Sequence, residues 1–250
     1  MRLTGVGVGP GDPELLTLKG QRLLGEADVV FVPVAAGPAP AGQNHLGAGD
    51  GGEPGYAERV VLAQAGSAHI QRLAFSLAED PDSRAASWAG AADAVAAAID
   101  GGRHAAFATL GDPAVYATFA YVAAAVAQRR PQVVIDTVPG VTAAQDLAAR
   151  AGVSIVEGEE TLALLPITAG QQRFTTALAE HDAVIAYKGG ARLAEVRAAL
   201  AEAGRADDAV YGARLGLSDQ VVGGLPAQGA GPYLSTVIVA PSGRRRSRRD

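Results

Sequence analysis

Short apolar runs end again and again in glycine-proline turns and give way to helical periodicity, and this alternation most narrows the folds open to the chain. Residues 3–8 read as a buried strand, a glycine-proline loop follows, 15–25 has helical spacing, and 29–32 is a second strand ending at Pro33. The pattern then predicts a helix over 56–63, a strand over 69–75 and a helix whose buried face carries Trp88, Ala92, Val95 and Ile99, four, three and four residues apart. A strand over 105–110, a helix over 115–128 and a strand over 133–138 complete the first half. The second half repeats the alternation less regularly, with helices over 142–150, 171–180 and 192–203 and strands over 162–165, 183–187, 209–211 and 234–240. Strands alternating with helices specify an α/β protein. We expect two α/β domains, 1–138 and 139–241, and a basic disordered tail over 242–250.

Composition removes several kinds of chemistry. The 250 residues are 48% hydrophobic and 19% charged with a mean hydropathy of +0.14, enough apolar material for a sizeable core. Cysteine is absent, which excludes disulfides, thiolate catalysis and cysteine-ligated zinc or iron. The histidines, His45, His69, His104 and His181, lack the close helical spacing of metal ligands, so we expect no metal. No signal peptide and no apolar run long enough to span a bilayer is visible, and the expected location is cytoplasmic. Of the formal net charge of −5, the arginine-rich end contributes +4, which leaves −9 on residues 1–243 and argues against nucleic-acid binding. The stretch 35–55 holds seven glycines and three prolines and reads as a loop, either a lid over a site or a surface excursion.

Three strand-to-helix turns carry the chemical signal: Gly5-Val6-Gly7-Val8-Gly9-Pro10-Gly11-Asp12, Thr109-Leu110-Gly111-Asp112-Pro113-Ala114-Val115-Tyr116, and Val138-Pro139-Gly140-Val141-Thr142-Ala143. The first is not a dinucleotide fingerprint, because the third glycine of that pattern falls on Pro10, Asp12 or Glu14 depending on where it is started. No Gly-Lys-Ser/Thr closes it into a P-loop, and no serine elbow is present. Since ligands of open α/β sheets lie beyond the carboxyl ends of the strands, the three turns can converge on one crevice. Asp112 reads either as a group that touches the reaction or as a turn residue bonding local backbone.

In order, Gly7-Val8-Gly9-Pro10-Gly11-Asp12-Pro13-Glu14-Leu15-Leu16-Thr17-Leu18-Lys19, Thr109-Leu110-Gly111-Asp112-Pro113, Tyr116 with Thr118-Phe119, Glu157-Gly158-Glu159 before Leu164-Leu165-Pro166, and Pro232-Tyr233-Leu234-Ser235-Thr236 resemble the tetrapyrrole methylase family over residues 3–241. The resemblance implies two α/β domains with a cofactor cleft between them, a homodimer, and methyl transfer from S-adenosylmethionine to a ring carbon of a corrin precursor, carbon 20 of precorrin-2. Matched by motif, the cofactor-facing positions are Pro10, Leu110, Gly111, Asp112, Val115, Thr142, Ala143, Tyr187 and Gly216, with Asp112 and Tyr116 as candidate catalytic groups. The family often carries methionine where Tyr187 stands, and related members carry an acid where Ala213 stands.

A tetrapyrrole edged with carboxylates would be repelled by an acidic body unless cations are placed locally. Lys19, Arg59, Lys188 and Arg214 are the candidate clamps, each with the alternative of being a solvated surface cation. Other members of the family, acting on a different ring carbon, on cobalt-factor II, on ribosomal RNA or on a protein histidine, are alternatives. A nucleotide-dependent oxidoreductase is a more distant one.

Overall fold

The structure, a computed structural model, describes residues 1–36, 52–66, 68–76 and 80–243. The chain divides into two compact units, the first ending at Thr142 and the second beginning at Ala143, where the sequence reading places the join between 138 and 139. Of the expected loop over 35–55, residues 37–51 lie outside the described residues, as does the arginine run 244–250. No helix among the described residues is long and apolar enough to cross a membrane.

The first unit is built on β1 (Arg2–Gly7), β2 (Val29–Ala35), β3 (Ile70–Phe75), β4 (His104–Thr109) and β5 (Val134–Val138), all parallel, in the order β3-β2-β4-β1-β5. Four helices connect them: α1 (Leu18–Glu26), α2 (Tyr56–Gln64), α3 (Pro81–Ile99) and α4 (Phe119–Arg129). Leu3, Phe31 and Phe107 pack against α3 and α4, whereas Val6, Val30, Val32, Ala106 and Ala108 pack with α1 and α2. Burial on both faces is why the central strands read as continuous apolar runs.

The order of the strands decides where a ligand can bind. The chain steps from β1 to β2 to β3 in one direction and returns through β4 to β5 in the other. Right-handed crossovers therefore place α1 and α2 on one face and α3 and α4 on the opposite face. Strands β1 and β4 lie side by side, yet the chain leaves them toward opposite faces. That divergence opens a crevice beyond their carboxyl ends, the switch point at which open α/β sheets bind ligands.

The expected buried face of α3 is present: Ala92, Val95 and Ile99 are fully buried, and Trp88 stacks on Tyr121 with ring centroids 4.4 Å apart. Two helix starts differ from the sequence reading. Pro13–Leu15 forms a separate 3-10 turn capped by Asp12, and α1 begins only after Thr17, whose hydroxyl accepts the Gly20 N–H at 3.0 Å. Helix α4 begins at Phe119 instead of Val115, because Tyr116 sits in the left-handed region at φ +49 and interrupts any helix through it.

The second unit contains β6 (Leu162–Pro166), β7 (Ala183–Tyr187), β8 (Ala209–Ala213), β9 (Val221–Gly223) and β10 (Ser235–Val239) in the order β6-β7-β10-β8-β9. Only β6 and β7 pair in parallel; β10 runs antiparallel to both β7 and β8, so those two strands point the same way and end at the same edge of the sheet. Helices α6 (Gln171–Glu180) and α7 (Leu193–Glu202) cover one face through Phe174, Leu178, Val196 and Leu200. On the other face α5 (Ala143–Ala151) packs on β8, β9 and β10, with Leu147 over Gly212. Strand β9 is absent from the sequence reading because it is only three residues long, too short to show alternation.

In the middle of β1, a Cβ on Gly5 would lie 2.5 Å from the ring of Phe119, which itself packs on Phe107. Gly5→Ala should therefore overpack the core and cost about 1–3 kcal/mol. Urea unfolding followed by the fluorescence of Trp88, the one tryptophan in the chain, reads this as a lower midpoint; an unchanged midpoint would mean the ring relaxes freely.

Candidate active site

At the carboxyl end of the first sheet, the loops after β4, β1 and β5 leave three adjacent strands and meet backbone to backbone. The Val8 N–H donates to Thr109 O at 2.9 Å and the Gly111 N–H to Gly9 O at 2.7 Å, so the β1 and β4 loops continue to pair beyond the sheet. A Cβ on Gly7 would lie 2.6 Å from Gly111 O and 2.6 Å from Gly140 N, and one on Gly140 would run into the same carbonyl oxygen. No side chain fits at this three-way contact. Gly111 differs: it holds φ +71, and a Cβ there would meet nothing within 4 Å. Its open side is the side available to a ligand.

Asp112 ties the cluster together. One carboxylate oxygen accepts the Ala114 N–H at 2.7 Å and the other accepts the Gly140 N–H at 3.0 Å, so the β4 loop is stitched to the β5 loop. Both oxygens thus receive a backbone donor. Pro10 is buried, and Leu110, Gly111, Val115 and Thr142 are half-buried around the same loops. Tyr116 keeps 43% of its surface exposed, and the partial burial of its phenol raises its pKa above the ordinary tyrosine value, so the group is protonated at neutral pH. It can donate a hydrogen bond there but is not a ready proton acceptor.

Of the expected cations on this unit, Lys19 is exposed in the first turn of α1. Arg59, on α2, donates to Pro54 O at 3.0 Å and lies 3.6 Å from the Glu53 carboxylate. Helix α2 packs against the Pro13–Leu15 turn that follows the glycine loop.

In the second unit, Ala143 opens α5, and the remaining expected residues gather at the edge where β7 and β8 end. Tyr187 is the buried last residue of β7. Lys188 follows at φ +60, donates its backbone N–H to Ser235 O at 3.1 Å, and places its ammonium 5.8 Å from the centroid of Tyr233. Arg214 follows β8 at φ +52 and is engaged by Asp219: its Nε lies 3.0 Å from a carboxylate oxygen and donates to the Asp219 carbonyl at 3.3 Å. Gly216 lies inside the loop that this contact closes, with its N–H directed at the Gln220 side chain at 3.3 Å. The sequence reading did not single out Gly7, Gly140 or Asp219. A glycine in each of the three turns was the available signal for the first two; an acid five residues beyond Arg214 in an irregular loop gives none.

Comparison with known proteins agrees with this architecture. The family model described as Tetrapyrrole (Corrin/Porphyrin) Methylases matches residues 2–228. A precorrin-2 C(20)-methyltransferase of Sinorhizobium sp is 33% identical over 241 residues, 95% of this chain and 94% of that protein. A cobalt-precorrin-2 C(20)-methyltransferase of Salmonella typhimurium is 29% identical over 204 residues, 81% of this chain and 79% of the relative. Among solved structures, the uroporphyrin-III C-methyltransferase of Thermus thermophilus complexed with S-adenosylhomocysteine superimposes with a TM-score of 0.62 at 20% identity, covering 96% of this chain and 92% of that one, a likeness of fold. With three glycine turns closing adjacent parallel strands and a family match across nearly the whole chain, this protein belongs to the tetrapyrrole (corrin/porphyrin) methylases.

Proposed function

We propose that this enzyme transfers a methyl group from S-adenosylmethionine to carbon 20 of precorrin-2 in the building of the corrin ring of cobalamin. The observation that carries the reading is the near full-length match to a relative named for that reaction, set on a loop cluster suited to the cofactor. The loops fit the group on their own terms: they offer backbone N–H and C=O groups, half-buried apolar surface from Leu110 and Val115, and open space beside Gly111. Bound S-adenosylmethionine would supply an electrophilic methyl group carried on a sulfonium.

The protein's share of the work is then positioning. Holding two reactants aligned lowers a barrier by up to about 7–11 kcal/mol in favourable cases, and no activated side-chain nucleophile is needed. We assign cofactor contact to Pro10, Leu110, Gly111, Val115 and Thr142 on the first unit. Asp112 serves as a positioning residue, because both of its carboxylate oxygens are taken up by backbone N–H groups, one in its own loop and one in the β5 loop. Tyr116, with its protonated phenol, is assigned as a hydrogen-bond donor toward the substrate. The cytoplasmic homodimer that the resemblance implies is carried as part of this proposal.

A second reading, methylation of the cobalt-loaded substrate, is favoured by the Salmonella relative's name. Incubation with methyl-labelled S-adenosylmethionine and each substrate, followed by product mass and carbon NMR, separates the two. Label at carbon 20 of the metal-free ring supports the proposal, and label on another carbon or no transfer refutes it.

Substitutions at the loop cluster separate backbone from side-chain contributions. Gly111→Val should leave the circular dichroism unchanged yet abolish S-adenosylhomocysteine binding in calorimetry, since the branched side chain fills the open side and left-handed backbone disfavours it. Thr142→Ala should cost no more than one ordinary hydrogen bond, about 0.5–1.5 kcal/mol. Normal binding by folded Gly111→Val protein would mean that the loop does not touch the cofactor.

Asp112→Asn turns an amide donor toward one of two backbone donors and loosens the β4 and β5 loops. It should weaken S-adenosylhomocysteine binding about tenfold or more, by roughly 1–3 kcal/mol, while turnover at saturating cofactor persists. Loss of turnover with unaltered cofactor affinity would instead make Asp112 the base.

A further inference from the structure

Three non-glycine residues hold left-handed backbone among the described residues: Tyr116, Lys188 and Arg214. A single such residue costs on the order of 1–3 kcal/mol and persists where its surroundings impose it, often at a binding site. Two of the three are cations in equivalent places, each the first residue after a strand, on the two strands that flank β10. Because β7 and β8 run the same way, Lys188 and Arg214 stand at the same edge of the second sheet, roughly 10 Å apart by strand spacing.

The two cations are held differently. The Lys188 ammonium makes a cation–π contact with the Tyr233 ring, 5.8 Å from its centroid. Arg214 faces the Asp219 carboxylate at 3.0 Å, with the two side chains 38% and 61% exposed. An ion pair that exposed is worth little and exchanges readily. Its chemistry is that of a guanidinium occupied by a carboxylate of its own chain, at the mouth of a loop that stays closed by the Arg214 to Asp219 backbone contact and the turn from Leu217 N–H to Arg214 O.

We propose that Lys188 and Arg214 form a two-point receptor for the peripheral carboxylates of the tetrapyrrole, and that Asp219 is a built-in competitor which occupies Arg214 until a substrate carboxylate displaces it. This rests on the tetrapyrrole reading above and adds a specificity device to it: a ligand must bring a carboxylate to Arg214 and another to Lys188 to repay the exchange. A macrocycle lacking the carboxylate for Arg214 leaves Asp219 in place and gains only the Lys188 contact.

The probe is uroporphyrin, a planar macrocycle edged with carboxylates, titrated by its fluorescence in the presence of S-adenosylhomocysteine. Asp219→Asn keeps the backbone contact and removes the competing charge, and it should tighten porphyrin binding about threefold to tenfold. Arg214→Met and Lys188→Met should each weaken it by a similar factor, and all differences should shrink at high salt. Adding Asp219→Asn to Arg214→Met should produce no further tightening. Tightening by Asp219→Asn that survives without Arg214 would reduce the effect to net charge and overturn the proposal, as would an unchanged affinity in the single variant. Calorimetry with S-adenosylhomocysteine on each variant reports separately on the loop that carries Gly216. Wild-type protein that binds S-adenosylhomocysteine but no polycarboxylate macrocycle would sink the tetrapyrrole reading itself, whereas wild-type binding with an inert Asp219→Asn sinks only the competitor.

Discussion

Gly7, Gly111 and Gly140 touch through their backbones, and the rest of the first unit is arranged so that they can. Three adjacent parallel strands must end level with one another, and Gly7 and Gly140 must pass the Gly111 carbonyl without a Cβ in the way. Polar backbone brought together in a partly buried place needs hydrogen-bond partners, and those are supplied from within: Gly9 O for Gly111 N, Thr109 O for Val8 N and the Asp112 carboxylate for Gly140 N. The result is a rigid platform whose outer surface is main chain. A platform of this kind recognises a ligand by shape and by fixed dipoles, which suits a reaction whose catalysis comes from alignment.

Much of this was legible in the sequence because the relevant constraints are local. Helix α6 and strand β7 occupy the spans the periodicity gives them, and Ala92, Val95 and Ile99 on α3 are buried as their spacing predicts. The glycine-proline turns mark where the strands stop. What periodicity could not show is where an irregular segment gives way to a helix. Periodicity starts α4 at Val115, too early, because nothing in the residue pattern reports the left-handed backbone of Tyr116. Nor could it show partners: Asp112 has the same identity whether its oxygens meet a substrate or the N–H of Gly140, and nothing in the residue pattern places Asp219 against Arg214.

The second unit meets a different demand. Its sheet is mixed, so β10 can lie between two strands that end at the same edge and put basic residues there, and the strain at Lys188 and Arg214 is the local expression of that arrangement. In a protein whose residues 1–243 carry a net −9, basic residues gathered at one sheet edge are more telling by placement than by number.

The central claim, that the loops after β1, β4 and β5 form the cofactor platform, is tested most directly by amide hydrogen exchange with and without S-adenosylhomocysteine. The account predicts slowed exchange in all three turns together, at residues 9–12, 110–116 and 140–142, with the amino ends of the same strands unaffected. Protection confined to other segments, or to one turn without the other two, would contradict it.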